Sequence, residues 1–256
     1  VAAPWWNRFH EYRHVWLLVT LCLLEVLYPI TRSVYTGYRL LELFFVLVFI
    51  ACVYAVANRR WFRIIALILV TPSLLSFLSV AGFNIFADKA PLWLIWIRAV
   101  ATLFILLFSG IVILGQVFRA KRINTDKVCG AVAVFMIFGA VWTTLYAMVL
   151  LASPDAIYFP EPVVEVSTAE AEASTTEGDH ELENFHSLNY FSFVTLSTLG
   201  YGDIQPVSPI ARMLAWVEAV FGQLYLAVLI GNIVGLQVAH MTGEVAKPKK
   251  DTDVNG

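Results

Sequence analysis

Six apolar runs, near residues 14–31, 37–57, 62–82, 91–117, 129–152 and 208–240, limit the folds open to this chain more than any other feature. Each is about the length a helix needs to cross a hydrocarbon core of roughly 30 Å at about 1.5 Å per residue. In lipid every backbone N–H and C=O must find a partner within the protein, which leaves continuous helices as the simplest solution. Composition points the same way, with 59% of the 256 residues hydrophobic and 14% charged. A mean hydropathy of +0.75 belongs to a multi-pass helical membrane protein rather than a water-soluble domain. Cys22, Cys52 and Cys129 lie in or beside the apolar runs, where an odd number reads as small packed residues, not as a disulfide framework or a zinc site. Trp5, Trp6 and several charges precede the first run, so no secretory signal peptide is expected.

Charge orients the runs. With both termini cytoplasmic, the inner side holds twelve Lys and Arg, the outer side four, and Arg98 lies within the fourth run, which accounts for all seventeen. Trp16, Trp61, Trp93 and Tyr28 fall near the interfaces this topology proposes. The expected location is a cell membrane, crossed six times.

Between the fifth and sixth runs stands Thr198-Leu199-Gly200-Tyr201-Gly202-Asp203. Gly200 and Gly202 accept positive φ without steric cost, so this strand can turn successive carbonyls towards one line. The preceding residues 187–197, SLNYFSFVTLS, are apolar but too short to span a bilayer, and read as a re-entrant pore helix whose C-terminal dipole end faces a cation path. Non-helical backbone at this depth is tolerated only inside protein or along a water-filled cavity. TLGYGD resembles the filter of potassium channels, in which carbonyl rings replace the hydration shell of K+. Leu199 stands where the usual filter has Val.

That resemblance covers residues 184–240 closely and implies the rest of the assignment. The expected fold is all-α, six transmembrane helices plus a re-entrant pore helix and filter loop, assembling as a homotetramer because one motif supplies a quarter of a pore. The resemblance assigns ion binding to Thr198, Leu199, Gly200, Tyr201 and Gly202, with K+ in the filter and no organic cofactor. Asp203 matches the acidic residue after the filter, while Val194 stands where some relatives place a glutamate partner for it. The implied divisions are an N-terminus 1–13, a four-helix module 14–118, a linker 119–128, a pore domain 129–241 and a tail 242–256. Within the pore domain lie a turret 153–183, the pore helix 187–197 and the filter 198–203. The six-span architecture resembles voltage-gated channels, but the fourth run carries Arg98 alone, so little voltage sensing is expected.

Ionisable residues inside the runs are candidates for function. Arg98, Glu25 and Glu42 sit at comparable depth and are expected to pair, as a structural clasp or as a ligand or proton site. Glu218 lies level with the base of the pore helix, with Thr195 and Ser197 as expected partners. It either braces the filter from behind or couples protonation to conduction. Gly222 matches the hinge glycine of inner helices in simpler potassium channels, and hinge and close packing are both open readings. Gln223, Leu226, Ile230, Val234 and Val238 fall on one helical stripe that would border the cavity and narrow to a hydrophobic gate.

The segment 153–183 holds three prolines, nine acidic residues and no Lys or Arg, and is expected to be an extracellular turret that concentrates cations or simply stays solvated. His180 and His186 beside it, and His240 at the inner end, are weak metal or proton candidates. The basic connector around Arg119, Lys121 and Arg122 invites contact with anionic membrane lipids. No hydrolase motif, Walker loop or nucleotide-binding segment is present, so neither an enzyme nor a nucleic-acid partner is expected, and any gating ligand is unidentified. Two other readings stand beside the potassium channel. One is a poorly selective cation channel or pore subunit of a larger transport complex. The other is a non-conducting receptor or scaffold.

Overall fold

A computed structural model of the chain describes residues 12–31, 71, 92–119, 124–160 and 177–245. The expected spans at 37–57 and 62–82, Glu42, and the terminal segments 1–11 and 246–256 lie outside the described residues, as do the side chains of His180 and His240. Five helices carry the described fold: α1 (Arg13–Thr31), α2 (Leu92–Phe118), α3 (Thr125–Ala152), α4 (Glu177–Leu196) and α5 (Pro209–Val245). Three stretches among the described residues are long and apolar enough to cross a membrane: Ile95–Phe118, Thr125–Ala152 and Pro209–Gly235. The chain is a membrane protein by these helices and by the comparison reported below.

α3 is the hub. Its 28 residues are apolar on every side, the pattern of a helix with neighbours all round rather than one facing water. One side receives Leu17 and Leu21 of α1 and Ile105, Leu106 and Ile113 of α2, packed against Ala133, Val134, Ile137 and Val141. The other side meets α4 and α5, where Phe138 takes the edge-on rings of Phe221 and Tyr225 at centroid separations of 4.8 and 6.0 Å. Tyr225 also donates its hydroxyl to the Ala131 carbonyl at 2.6 Å, so the aromatic contact is polar at one end.

The end of this bundle where α1 and α3 begin is closed by a buried pair. Asp126, in the first turn of α3, accepts hydrogen bonds from the backbone N–H groups of His14 (2.9 Å) and Val15 (3.4 Å) at the start of α1, where free amide hydrogens need an acceptor. Its second oxygen meets His14 Nδ1 at 2.6 Å. His14 is fully buried against Gly130, where a Cβ would come within 3.2 Å of the imidazole ring. Arg13 reaches Gln116 at the end of α2, so three helix ends meet here. Breaking a buried pair leaves an uncompensated group, and Asp126→Ala is expected to cost about 3–5 kcal/mol. A lower midpoint of thermal unfolding in detergent would register it, and an unchanged midpoint would show that the pair contributes nothing.

Two expected boundaries move. The helix placed at 187–197 begins at Glu177, inside the segment expected to be turret. The acidic stretch that reads as loop thus contains the start of a helix. The rest of the early turret is also ordered locally: Pro154–Ala156 forms a 3-10 turn, and β1 (Ile157–Tyr158) pairs antiparallel with β2 (Gln205–Pro206) beyond the TLGYGD motif. The expected linker 119–128 is shorter, since α3 already starts at Thr125.

Candidate functional site

Residues 198–203 leave the C-terminal end of α4 as an extended loop, and the backbone there is distinctive. Among the described residues, positive φ occurs at Thr198 (58°), Gly200 (58°) and Gly202 (78°), and at neither Leu199 nor Tyr201. Alternating between the two halves of φ space turns successive N–H groups to one side, as in an anion-binding nest, and so turns the carbonyls to the other. Glycine adopts this at no cost, but Thr198 is β-branched and strained there, as residues at functional sites often are.

The loop is hung from the pore helix. Val194 O accepts from Leu199 N at 2.9 Å and from Gly200 N at 3.3 Å, and Thr195 O accepts from Thr198 N at 2.9 Å. In a trans peptide each N–H opposes the carbonyl of the preceding residue, so these bonds turn the carbonyls of Ser197, Thr198 and Leu199 away from α4. Gly202 is the exception at the outer end, its carbonyl accepting from Gln205 Nε2 at 2.9 Å. Beyond it, Ile204 packs into a second cluster with Tyr146, Ile157, Leu188, Phe191 and Ala211. The Ala156 carbonyl then accepts from both Val207 N (2.9 Å) and Ser208 N (3.0 Å), which ties the loop exit to the segment after α3.

Asp203 bonds to the Tyr190 hydroxyl, so α4 supplies the partner that Val194 cannot. Desolvation acts to raise the Asp203 pKa, but the bonds from Tyr190 and from the backbone outweigh it and hold the carboxyl below its ordinary value.

Behind the loop sits Glu218, fully buried on α5. Its partners differ from those expected. Tyr146 OH donates to Oε2 at 2.6 Å, and Ser192 Oγ lies 2.6 Å from Oε1. Thr195 and Ser197 are excluded from this role by register: Ser197 Oγ turns back to Phe193 O at 2.7 Å, whereas Ser192 is one turn deeper and faces α5. Ser192 Oγ also lies 2.9 Å from Gly139 O, so one cluster joins α3, α4 and α5.

Gly222, one turn further along α5, resolves as a packing residue. A Cβ built there would lie 2.0 Å from the Leu196 carbonyl oxygen, two residues before the loop begins. Gly139 plays a like part on α3, where a Cβ would come 2.7 Å from the Phe193 ring. Gln223, Leu226, Ile230, Val234 and Val238 form an exposed stripe on α5 of the single chain, with Ile230 59% exposed, and the filter-like residues 198–203 are exposed as well.

The expected clasp around Arg98 is not what Glu25 makes. The Glu25 carboxylate accepts from Asn189 Nδ2 at 2.8 Å, turning to the pore helix, and Arg98 is exposed on α2. Sequence reasoning missed Tyr146, Ser192, Asn189 and Tyr190 because each is an ordinary polar residue in an apolar helix. Its role depends on which neighbour the fold presents.

Geometry of this kind, an extended carbonyl-presenting loop slung between a short helix and a long membrane helix, has a counterpart among known families. Residues 130–237 match the family model described as an ion channel. No curated protein and no solved structure matches the chain. The matched segment spans α3 to most of α5 and contains every contact of the loop described above. Residues 130–237 are therefore similar to an ion-channel domain, and passive ion conduction is the activity which that similarity supports.

Proposed function

We propose that four copies of this chain surround an axis as a homotetramer and conduct K+ selectively. The carbonyls of Thr198, Leu199, Gly200 and Tyr201, with the Thr198 hydroxyl, replace the hydration shell of the ion. The observation that supports this reading best is the alternation of φ sign through 198, 200 and 202. The exposed stripe on α5 then lines the inner cavity and gate, with Gln223 beneath the filter and Ile230, Val234 and Val238 at the constriction. The protein crosses a cell membrane six times with both termini cytoplasmic, in contact with membrane lipids. Asp203 and Glu218 support the filter.

Flux from the purified full chain in liposomes tests the proposal. Potassium flux blocked by barium, with sodium flux at background, is the expected result, and recordings should show weak voltage dependence because Arg98 is the lone basic residue of α2. Equal sodium and potassium flux would support a poorly selective cation channel instead. Absence of flux under every condition would support a non-conducting receptor.

A further inference from the structure

We infer that Asn189 positions the pore loop and that Glu25 sets Asn189, so that the first helix is coupled to the ion path through one side-chain bridge. This rests on the reading of 198–203 as the filter.

Asn189 lies on α4, whose C-terminal carbonyls at Val194 and Thr195 hold the N–H groups of the loop. A shift or tilt of α4 therefore moves the loop with it. The Asn189 side chain is engaged at both ends of its amide. Nδ2 donates to Glu25 Oε2 at 2.8 Å, and Oδ1 accepts from Thr143 Oγ1 at 3.1 Å. An acceptor on one side and a donor on the other fix the amide in a single orientation. Thr143 is held in turn by Gly139 O at 2.9 Å, so the Thr143 end of the bridge is anchored to α3.

The Glu25 end is different. α1 is pinned to α3 at its start by the His14–Asp126 pair, while further along it packs through Leu17 and Leu21, apolar contacts without directional preference. Glu25 lies one turn beyond Leu21, in the half of the helix free to tilt about that anchor. The bond from Asn189 to a carboxylate is charge-assisted and lies in half-buried surroundings. Rotation or axial displacement of α1 thus reaches α4 directly, past α3. The peripheral module then acts on the selectivity loop as well as on any gate along α5.

Exchanging the two side-chain types across the contact tests this. Asn189→Asp in the full chain sets two carboxylates against each other, whereas the double variant Glu25→Gln with Asn189→Asp restores the bond with donor and acceptor reversed. Glu25→Gln alone keeps an acceptor for Asn189 but loses the charge, and is expected to fall between native and Asn189→Asp. The single Asn189→Asp variant is expected to lower the potassium-to-sodium flux ratio by about tenfold or more, the scale of one lost charge-assisted hydrogen bond. It should also speed amide hydrogen exchange over residues 188–196, and the double variant should recover both. Failure of the double variant to recover either property, or native behaviour of Asn189→Asp, would overturn the inference. If the native chain shows no potassium preference, the proposed function fails, and recovery or non-recovery of exchange in the double variant still decides whether Glu25 positions α4.

Discussion

Gly222→Ala is expected to prevent assembly of a folded channel rather than to tune its opening. The added Cβ would stand 2.0 Å from the Leu196 carbonyl oxygen. That is more than 1 Å inside the ~3.3 Å at which carbon and carbonyl oxygen ordinarily meet. Neither side can yield locally, because the oxygen belongs to the backbone at the end of α4 and the new carbon belongs to the backbone of α5. Separating the helices would break the Glu218 contacts one turn away. Overpacking a fixed site typically costs about 1–3 kcal/mol, and an approach this close to backbone belongs at or above the upper end. Native gel electrophoresis and thermal unfolding of the purified variant should show lost oligomer and aggregation. A hinge role makes the opposite forecast: a normally assembled protein with altered open probability. That result would refute the packing role assigned here.

The second large effect belongs to Glu218. Glu218→Ala would remove the shared partner of two hydroxyls, Tyr146 and Ser192, and leave a void between three helices. Leaving the buried Tyr146 hydroxyl without its acceptor costs about 1–3 kcal/mol, while Ser192 keeps the Gly139 carbonyl. The lost volume adds to this, because buried large-to-small changes carry a cavity penalty of their own. A total of about 3–5 kcal/mol would lower the midpoint of thermal unfolding markedly, whereas Glu218→Gln, which keeps the volume and an acceptor for Tyr146 while Ser192 donates to the Gly139 carbonyl, should stay much closer to native. Equal midpoints for the Ala and Gln variants would show that neither the hydroxyl contacts nor the filled volume at Glu218 contributes to stability.

The contrast between these two residues shows what a sequence can and cannot reveal. An acidic residue deep in an apolar run is conspicuous whatever surrounds it, so Glu218 stood out. Its partners did not, because Tyr146 lies 72 residues away and the placement of α3 and α5 depends on how Gly139 and Gly222 let each of them approach α4. The described helices α1, α2, α3 and α5 follow the apolar runs within a few residues, since length and hydropathy determine them. The start of α4 was missed because acids, Ser and Thr in a Pro-containing stretch fit a loop and a helix start equally well. Arg98 was paired with Glu25, Glu42 or both on depth alone, and depth says nothing about which face of a helix a side chain occupies, so Glu25 could turn to Asn189 instead, while Glu42 lies outside the described residues. Glycines at 200 and 202 announced the backbone of the loop, but a positive φ at Thr198 had no signal, since threonine ordinarily avoids it.

The short turn between α2 and α3, with α2 ending at Phe118 and α3 starting at Thr125, bears on how such a protein can be divided. A connector of this length makes its two helices antiparallel neighbours, and the surface they share is the one that buries Val134, Ile137 and Val141. The matched channel segment begins at residue 130, inside that surface and beyond Asp126, the partner of His14. Cutting the chain at the family boundary would strip α3 of its first turn, with the buried Asp126, and uncover one flank of its apolar side. The channel unit of homology is thus smaller than the unit of packing, and the smallest piece that keeps the pore's supports intact includes the helices that flank it.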